Sequence, residues 1–110
     1  MSQLDDLITT YVGELNGLGH ADVDEDLVRT IAKSQGPSIY NADSSLVSCS
    51  DQAELDRVKT NFLSGKLGLT DDAANQAACL AVCEQYKDSR QKKRVVFYYL
   101  LMKHLGVGSL

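Results

Sequence analysis

At 110 residues, 44% hydrophobic and 24% charged, the chain has enough apolar material to close one core and too little length for two. Its formal net charge of −4 lacks the lysine and arginine surplus that phosphate contacts need. That balance argues against nucleic acid as a ligand and fits a soluble cytosolic protein. A single helical domain over 1–110 is expected.

The first residues, MSQLDDLITTYVGEL, carry acids where a secretory leader needs a positive flank and an unbroken apolar run, so no leader is expected. The longest apolar run, Val95 to Met102, falls far short of the roughly 20 residues that cross a bilayer, so no membrane association is expected. Three cysteines, an odd number, fit free thiols in a reducing cytosol better than a disulfide framework. There is only one proline, Pro37, and leucine and alanine recur at helical spacing without β-branched alternation. The fold class is therefore all-α: a compact bundle of about five helices with one long ordered loop between the second and third.

Leu4, Leu7, Ile8, Tyr11, Val12 and Leu15 follow the three-and-four spacing of a first helix, opened by Ser2 and stopped by Gly17 to Gly19. Asp22 with Glu25 resembles a capping box for a second helix carrying Leu27, Val28 and Ile31, which Gly36 and Pro37 end. Ser50 or Asp51 can cap a third helix with Leu55, Val58, Phe62 and Leu63, and Gly65 and Gly68 bracket the turn after it. Thr70, Asp71 and Asp72 open a fourth helix that runs to about Tyr86. Ser89 can open the last, whose RQKKR start sets four cations at the positive end of its own dipole, a placement that needs another reason. From Val95 to Leu105 this helix is apolar nearly all round, as a central helix would be.

Several chemistries can be weighed on spacing alone. Asp22 to Asp26 and Asn41 to Ser45 both mimic the opening of a calcium loop, but the sixth place holds Leu27 or Leu46 and the twelfth Lys33 or Gln52, where glycine and glutamate are needed. No metal and no cofactor are expected. Cys79 and Cys83 share a helix face among alanines and leucine, which favours buried packing over a redox or metal pair. A small enzyme using Ser44, Ser45, Ser48 or Cys49 with His20 or His104 lacks a nucleophile elbow or a phosphate loop to support it. No catalytic residue is expected.

Seven of the fifteen acids precede Arg29, while Lys87, Arg90, Lys92, Lys93 and Arg94 gather near the end. The basic stretch Arg90, Lys92, Lys93 and Arg94 could meet an acidic partner or a nucleic-acid backbone. The favoured reading sets it beside the acidic first helix, within the fold or across a dimer. Gly36 to Ser50, GPSIYNADSSLVSCS, is either an ordered connector or a binding surface. Ile39, Leu46 and Val47 could anchor it, with Ser38, Tyr40, Asn41, Asp43, Ser44 and Ser45 offering an aromatic face and polar groups.

The segments GPSIYNADSSLVS, LDRVKTNFLSGKLGL and RVVFYYLLMKHLG, in this order, resemble a small bacterial family known as a domain of unknown function, DUF2853. The resemblance spans nearly the whole chain. It implies a compact bacterial cytosolic protein, and no activity, cofactor or catalytic residue. RQKKR departs from the RNKYR-like stretch expected there. The sequence does not say what the protein does; the reading it favours is a non-enzymatic interaction module binding a protein or small ligand through the Gly36–Ser50 loop. A nucleic-acid-associated protein is the alternative, a loop Ser or Cys49 enzyme a third. The apolar last helix hints at a homodimer.

Overall fold

In the computed structural model, which describes residues 3–41, 45–89 and 91–108, helices follow one another from end to end. The first, α1 (Gln3–Gly17), buries Ile8, Tyr11 and Leu15 from the predicted stripe and sets Asp5 and Asp6 in its first turn. Asp5 reaches across to Arg29 at 2.9 Å, joining α1 to α2 (Glu25–Gln35).

The cap of α2 is not the expected Asp22. Asp24 is extended and accepts the Leu27 N–H at 3.0 Å. Its own N–H donates to the Tyr99 hydroxyl at 3.0 Å. Tyr99 is fully buried on the last helix, so the start of α2 is fixed by a long-range partner that local spacing does not reveal. Its end is as expected: Gly36 takes φ +63° and donates to the Lys33 carbonyl, a left-handed backbone that suits glycine.

Pro37 does not break the chain into coil. Gly36–Tyr40 is a 3₁₀ turn with Ile39 buried, and α3 (Gln52–Val58) is capped by Asp51, which accepts the Ala53 N–H. This helix continues as a π-helix over Lys59–Ser64, where bonds such as Gly65 N–H to Thr60 O at 2.9 Å span five residues instead of four. The wider turn keeps Phe62 and Leu63 fully buried. It also brings backbone so close to Gly65 that a Cβ there would lie 2.7 Å from the Asn61 carbonyl oxygen.

Asp71 caps α4 (Asp72–Gln85) through the Ala74 N–H, and α4 buries Asn75, Ala78, Cys79 and Val82. The last helix, α5 (Arg94–Leu105), starts later than the expected Ser89. Lys93 is extended and forms an antiparallel bridge with Leu46. Only Arg94 of the cation run therefore lies in the first turn, which removes most of the dipole conflict. From Val95 to Met102 every residue is buried, covered by α1, α2 and α4. The apolar excess that hinted at a dimer is thus spent inside the chain.

The radius of gyration, 12.9 Å, is close to the roughly 13 Å of one compact domain of this length. Helices and turns account for the fold; the bridge at Leu46 is the one strand-like pairing among the described residues. No helix there is long and apolar enough to cross a membrane.

Gly65→Ala should lower the urea midpoint by an amount equivalent to about 1–3 kcal/mol, because the clash is with backbone that cannot swing away. Gly13→Ala, with open space around the added methyl and a helical backbone, should hold or raise it.

Candidate functional site

In the polar segment between α2 and α3, residues 45–47 form a strap over the start of α5. Three backbone ties hold it: Val47 N–H donates to the Lys92 carbonyl at 2.7 Å, Arg94 N–H donates to the Ser45 carbonyl at 2.7 Å, and the Arg94 guanidinium donates to the Leu46 carbonyl at 2.9 Å. Val47 is buried beneath it. Cys49 adds a covalent tie, a disulfide to Cys83 on α4 across 34 positions of sequence, with Cα atoms 5.8 Å apart.

The disulfide corrects two expectations. Cys49 and Cys83 are not free thiols, and Cys83, packed at the edge of the core, is bonded out of it rather than buried as Cys79 is. Cys79 is fully buried and unbonded, while Cys83 lies half-buried toward the strap. Helical spacing couples Cys83 to its neighbour one turn away and is blind to a residue 34 places back. Burial pushes the Cys79 thiol up to about 11, partly offset by the Lys59 charge.

Under the strap sits an ion cluster. Glu54 accepts from Arg94 at 2.5 Å and from Arg57 at 2.5 Å, and its side chain is only 12% exposed. Burial opposes its ionisation, but the hydrogen bonds from Arg57 and Arg94 outweigh that and hold the carboxyl below its ordinary value. Arg94 also contacts the Tyr98 hydroxyl at 3.3 Å, and the Tyr98 ring stacks on Phe62 with centroids 3.9 Å apart. Strap, π-helix and α5 therefore meet at one place.

Two cavities open beside it. One, of about 530 Å³, is bounded by Leu46, Ser48, Cys49, Ser50, Glu54 and Lys92. The other, of about 260 Å³, gathers Gln35, Ser38, Arg57, Asn61, Arg94 and Tyr98. The first falls within the range of small-molecule sites, about 300–1,000 Å³, and the second just below it.

The predicted loop residues divide along the strap. Ser38 donates to the Gln35 carbonyl at 2.8 Å and edges the smaller cavity. Asn41 is exposed, with its N–H on Ser38 O and its carbonyl accepting from Ser45 N–H. Tyr40 is 45% exposed, yet close enough to α1 that, after burial and Glu14, its charge helps push the Tyr11 phenol up to about 12. Asp43 and Ser44 lie outside the described residues, as does Arg90.

The rest of the basic stretch points inward or along the surface of the fold. Lys93 pairs with Glu14 of α1 at 2.7 Å, Arg94 with Glu54, and Lys92 donates to the Ser89 carbonyl at 2.9 Å. Glu14 also bonds the Tyr86 hydroxyl, and burial together with that bond raises the Tyr86 phenol. Lys93 thus stands against the acidic first helix, as the favoured reading had it. Glu54, Arg57 and Asn61 were not singled out by spacing. The signal was there in Glu54, an acid four places before Val58 and eight before Phe62 on the buried face of α3. Among the described residues, no group of three or more His, Cys, Asp or Glu is placed to hold a metal.

A family profile described as a protein of unknown function, DUF2853, covers residues 10–109, and the chain belongs to that family. No curated protein matches it. The family's description carries no activity, and the three segments of the resemblance are the strap, the α3 to π-helix arm and α5, which converge on Glu54 and Arg94.

Because Glu54 titrates below its ordinary value in the fold, its stabilising contribution is complete above about pH 4.3 and is lost as pH falls through the lowered folded value. Glu54→Gln should cost about 2–3 kcal/mol at neutral pH, since it leaves a half-buried guanidinium without its carboxylate. Denaturant titrations at pH 7 and pH 3 check both statements: the gap between the parent chain and the variant should narrow at the lower pH.

Proposed function

We propose that this chain is a non-enzymatic interaction module of the bacterial cytosol whose Gly36–Ser50 strap is its binding face for a protein or small ligand. The observation that carries the reading is the contrast between two stretches of the strap. Ser45, Leu46 and Val47 are tied to the start of α5. Tyr40 and Asn41 are exposed, Tyr40 at the end of the 3₁₀ turn and Asn41 with its N–H and carbonyl both bonded. A contact surface that is ordered before binding loses little conformational entropy on binding, and an exposed tyrosine on such a surface supplies area at the cost of two rotors.

The second reading, nucleic-acid association through Arg90 to Arg94, gains nothing from the geometry. Lys93 and Arg94 are engaged by carboxylates of the fold, and releasing them would break contacts that hold the strap. A loop nucleophile is not supported either: Cys49 is bonded, and His20 faces Gln85 at 3.1 Å and the Tyr99 ring edge-on.

The test is affinity capture of the tagged chain from its own lysate, with and without nuclease, beside the Tyr40→Ala, Asn41→Ala variant. Partners that survive nuclease and fall at least tenfold with a variant of unchanged helical content support the strap. Partners indifferent to the variant and lost with nuclease overturn it.

A further inference from the structure

The Cys49–Cys83 bond lies at the edge of the larger cavity, and only one of its sulfurs belongs to a residue that bounds that space. Cys49 does, together with Ser48, Ser50, Glu54 and Lys92; Cys83 does not. We propose that this cavity is a thiol-exchange site, in which a small cysteinyl thiol of the glutathione type attacks Cys49 and is held there as a mixed disulfide. The inference is independent of the binding face assigned to Tyr40 and Asn41.

In the exchange, the thiolate RS⁻ attacks Cys49 Sγ, the R–S to Cys49 bond forms as the Cys49–Cys83 bond breaks, and Cys83 leaves as a thiolate that takes a proton from water. No net oxidant is required, since one disulfide replaces another. Attack on a disulfide proceeds through a mixed disulfide at the sulfur that can be reached, so access and leaving-group acidity compete to choose the site. Acidity favours the opposite choice, because Cys83 lies in the last turn of α4, where the dipole disfavours a thiolate. Access favours Cys49. The cavity, at about 530 Å³, has room for a small peptide, and the Cys83 thiolate, poorly stabilised where it is left, attacks back. The adduct is therefore short-lived while Cys83 is present.

The class of thiol follows from the lining. Lys92 offers a cation to a carboxylate, and the hydroxyls of Ser48 and Ser50, 3.3 Å apart and exposed, can meet amide groups. Cys79, one turn from Cys83, does not enter the exchange: it is fully buried and its thiol is held protonated by that burial. The strap stays docked when the bond opens, because Val47 remains buried and the ties of residues 45–47 to α5 are not covalent to Cys49.

The experiment uses single-cysteine-partner variants of the full chain and oxidised glutathione as probe, read by intact mass and peptide mapping after acid quenching. Cys83→Ser should accept one glutathione on Cys49 at least tenfold faster than Cys49→Ser accepts it on Cys83. The parent chain with reduced glutathione should show a minor adduct on Cys49 alone. Lys92→Gln, which keeps the backbone carbonyl that holds Val47, should slow the glutathione reaction of Cys83→Ser several-fold and leave that with the uncharged disulfide of mercaptoethanol unchanged. The Tyr40→Ala, Asn41→Ala variant should react as the parent does, so that failure of one proposal is not failure of the other. An adduct mapped to Cys83, equal rates at both positions, no adduct at either, or an intact mass showing both cysteines as thiols in the untreated chain would each overturn the assignment.

Discussion

A guanidinium at the mouth of a helix that is apolar on every face has few places to go, and where Arg94 goes decides how the rest of the chain is laid out. Its backbone N–H is held by Ser45, its side chain by Glu54 and the Leu46 carbonyl. One residue thus joins α5, α3 and the strap. Removing a charge from water is costly unless its hydrogen-bonding capacity is met, so Arg94 specifies the position of everything that meets it. The eight residues that follow are buried on all sides, and they can be so only because α1, α2 and α4 close around them while α3 and the strap close the end where α5 begins.

The π-helix meets the same cluster. Arg57 and Asn61 border the cavity beside Arg94, and Phe62 must also stack on Tyr98. Glu54 and Arg57, three places apart within α3, pair before that segment begins. The wider turn at Lys59–Ser64 follows, with Asn61 on the cavity and Phe62 and Leu63 in the core. Gly65 permits the backbone to approach that closely on leaving it. Lys59, paired with Asp56 and with Asp72 at 3.2 Å each, ties the segment to the start of α4.

Helices were legible in the sequence wherever local chemistry fixes them. Asp51, one of the two expected candidates, caps α3; Asp71, one place after the expected Thr70, caps α4; Gly36 ends α2; and the three-and-four spacing of Ile8, Tyr11 and Leu15 or of Leu27, Val28 and Ile31 names buried residues of α1 and α2. What failed depended on distant partners. Asp24 replaces Asp22 as cap because Tyr99, 75 positions away, holds its N–H. The start of α5 moves from Ser89 to Arg94 because Lys93 bridges Leu46. The cysteine pairing was hidden for the same reason, and the ion cluster because a lone glutamate on an apolar face can be read from spacing only if one asks where its counter-charge comes from. The strap was found as a segment; its ties were not, since nothing in GPSIYNADSSLVSCS says which of its carbonyls face Lys92 and Arg94.

Those ties also divide the strap in two. Residues 45–47 are clamped by the 92–93 backbone and by Arg94, which are in turn set by the bridge and by the buried helix behind them. Tyr40 and Asn41 lie on one side of the clamp, Cys49 on the other. Among the described residues, a change at Cys49 reaches Tyr40 through the clamp, which the Arg94 to Glu54 pair and the Leu46 bridge hold. Coupling between sites requires an element with two arrangements that both sites bias, and the described contacts supply a single well-satisfied one, in which no buried side-chain nitrogen or oxygen among the described residues lacks a partner. Among the described contacts, then, the clamp stands between the aromatic end and the sulfur end of the strap.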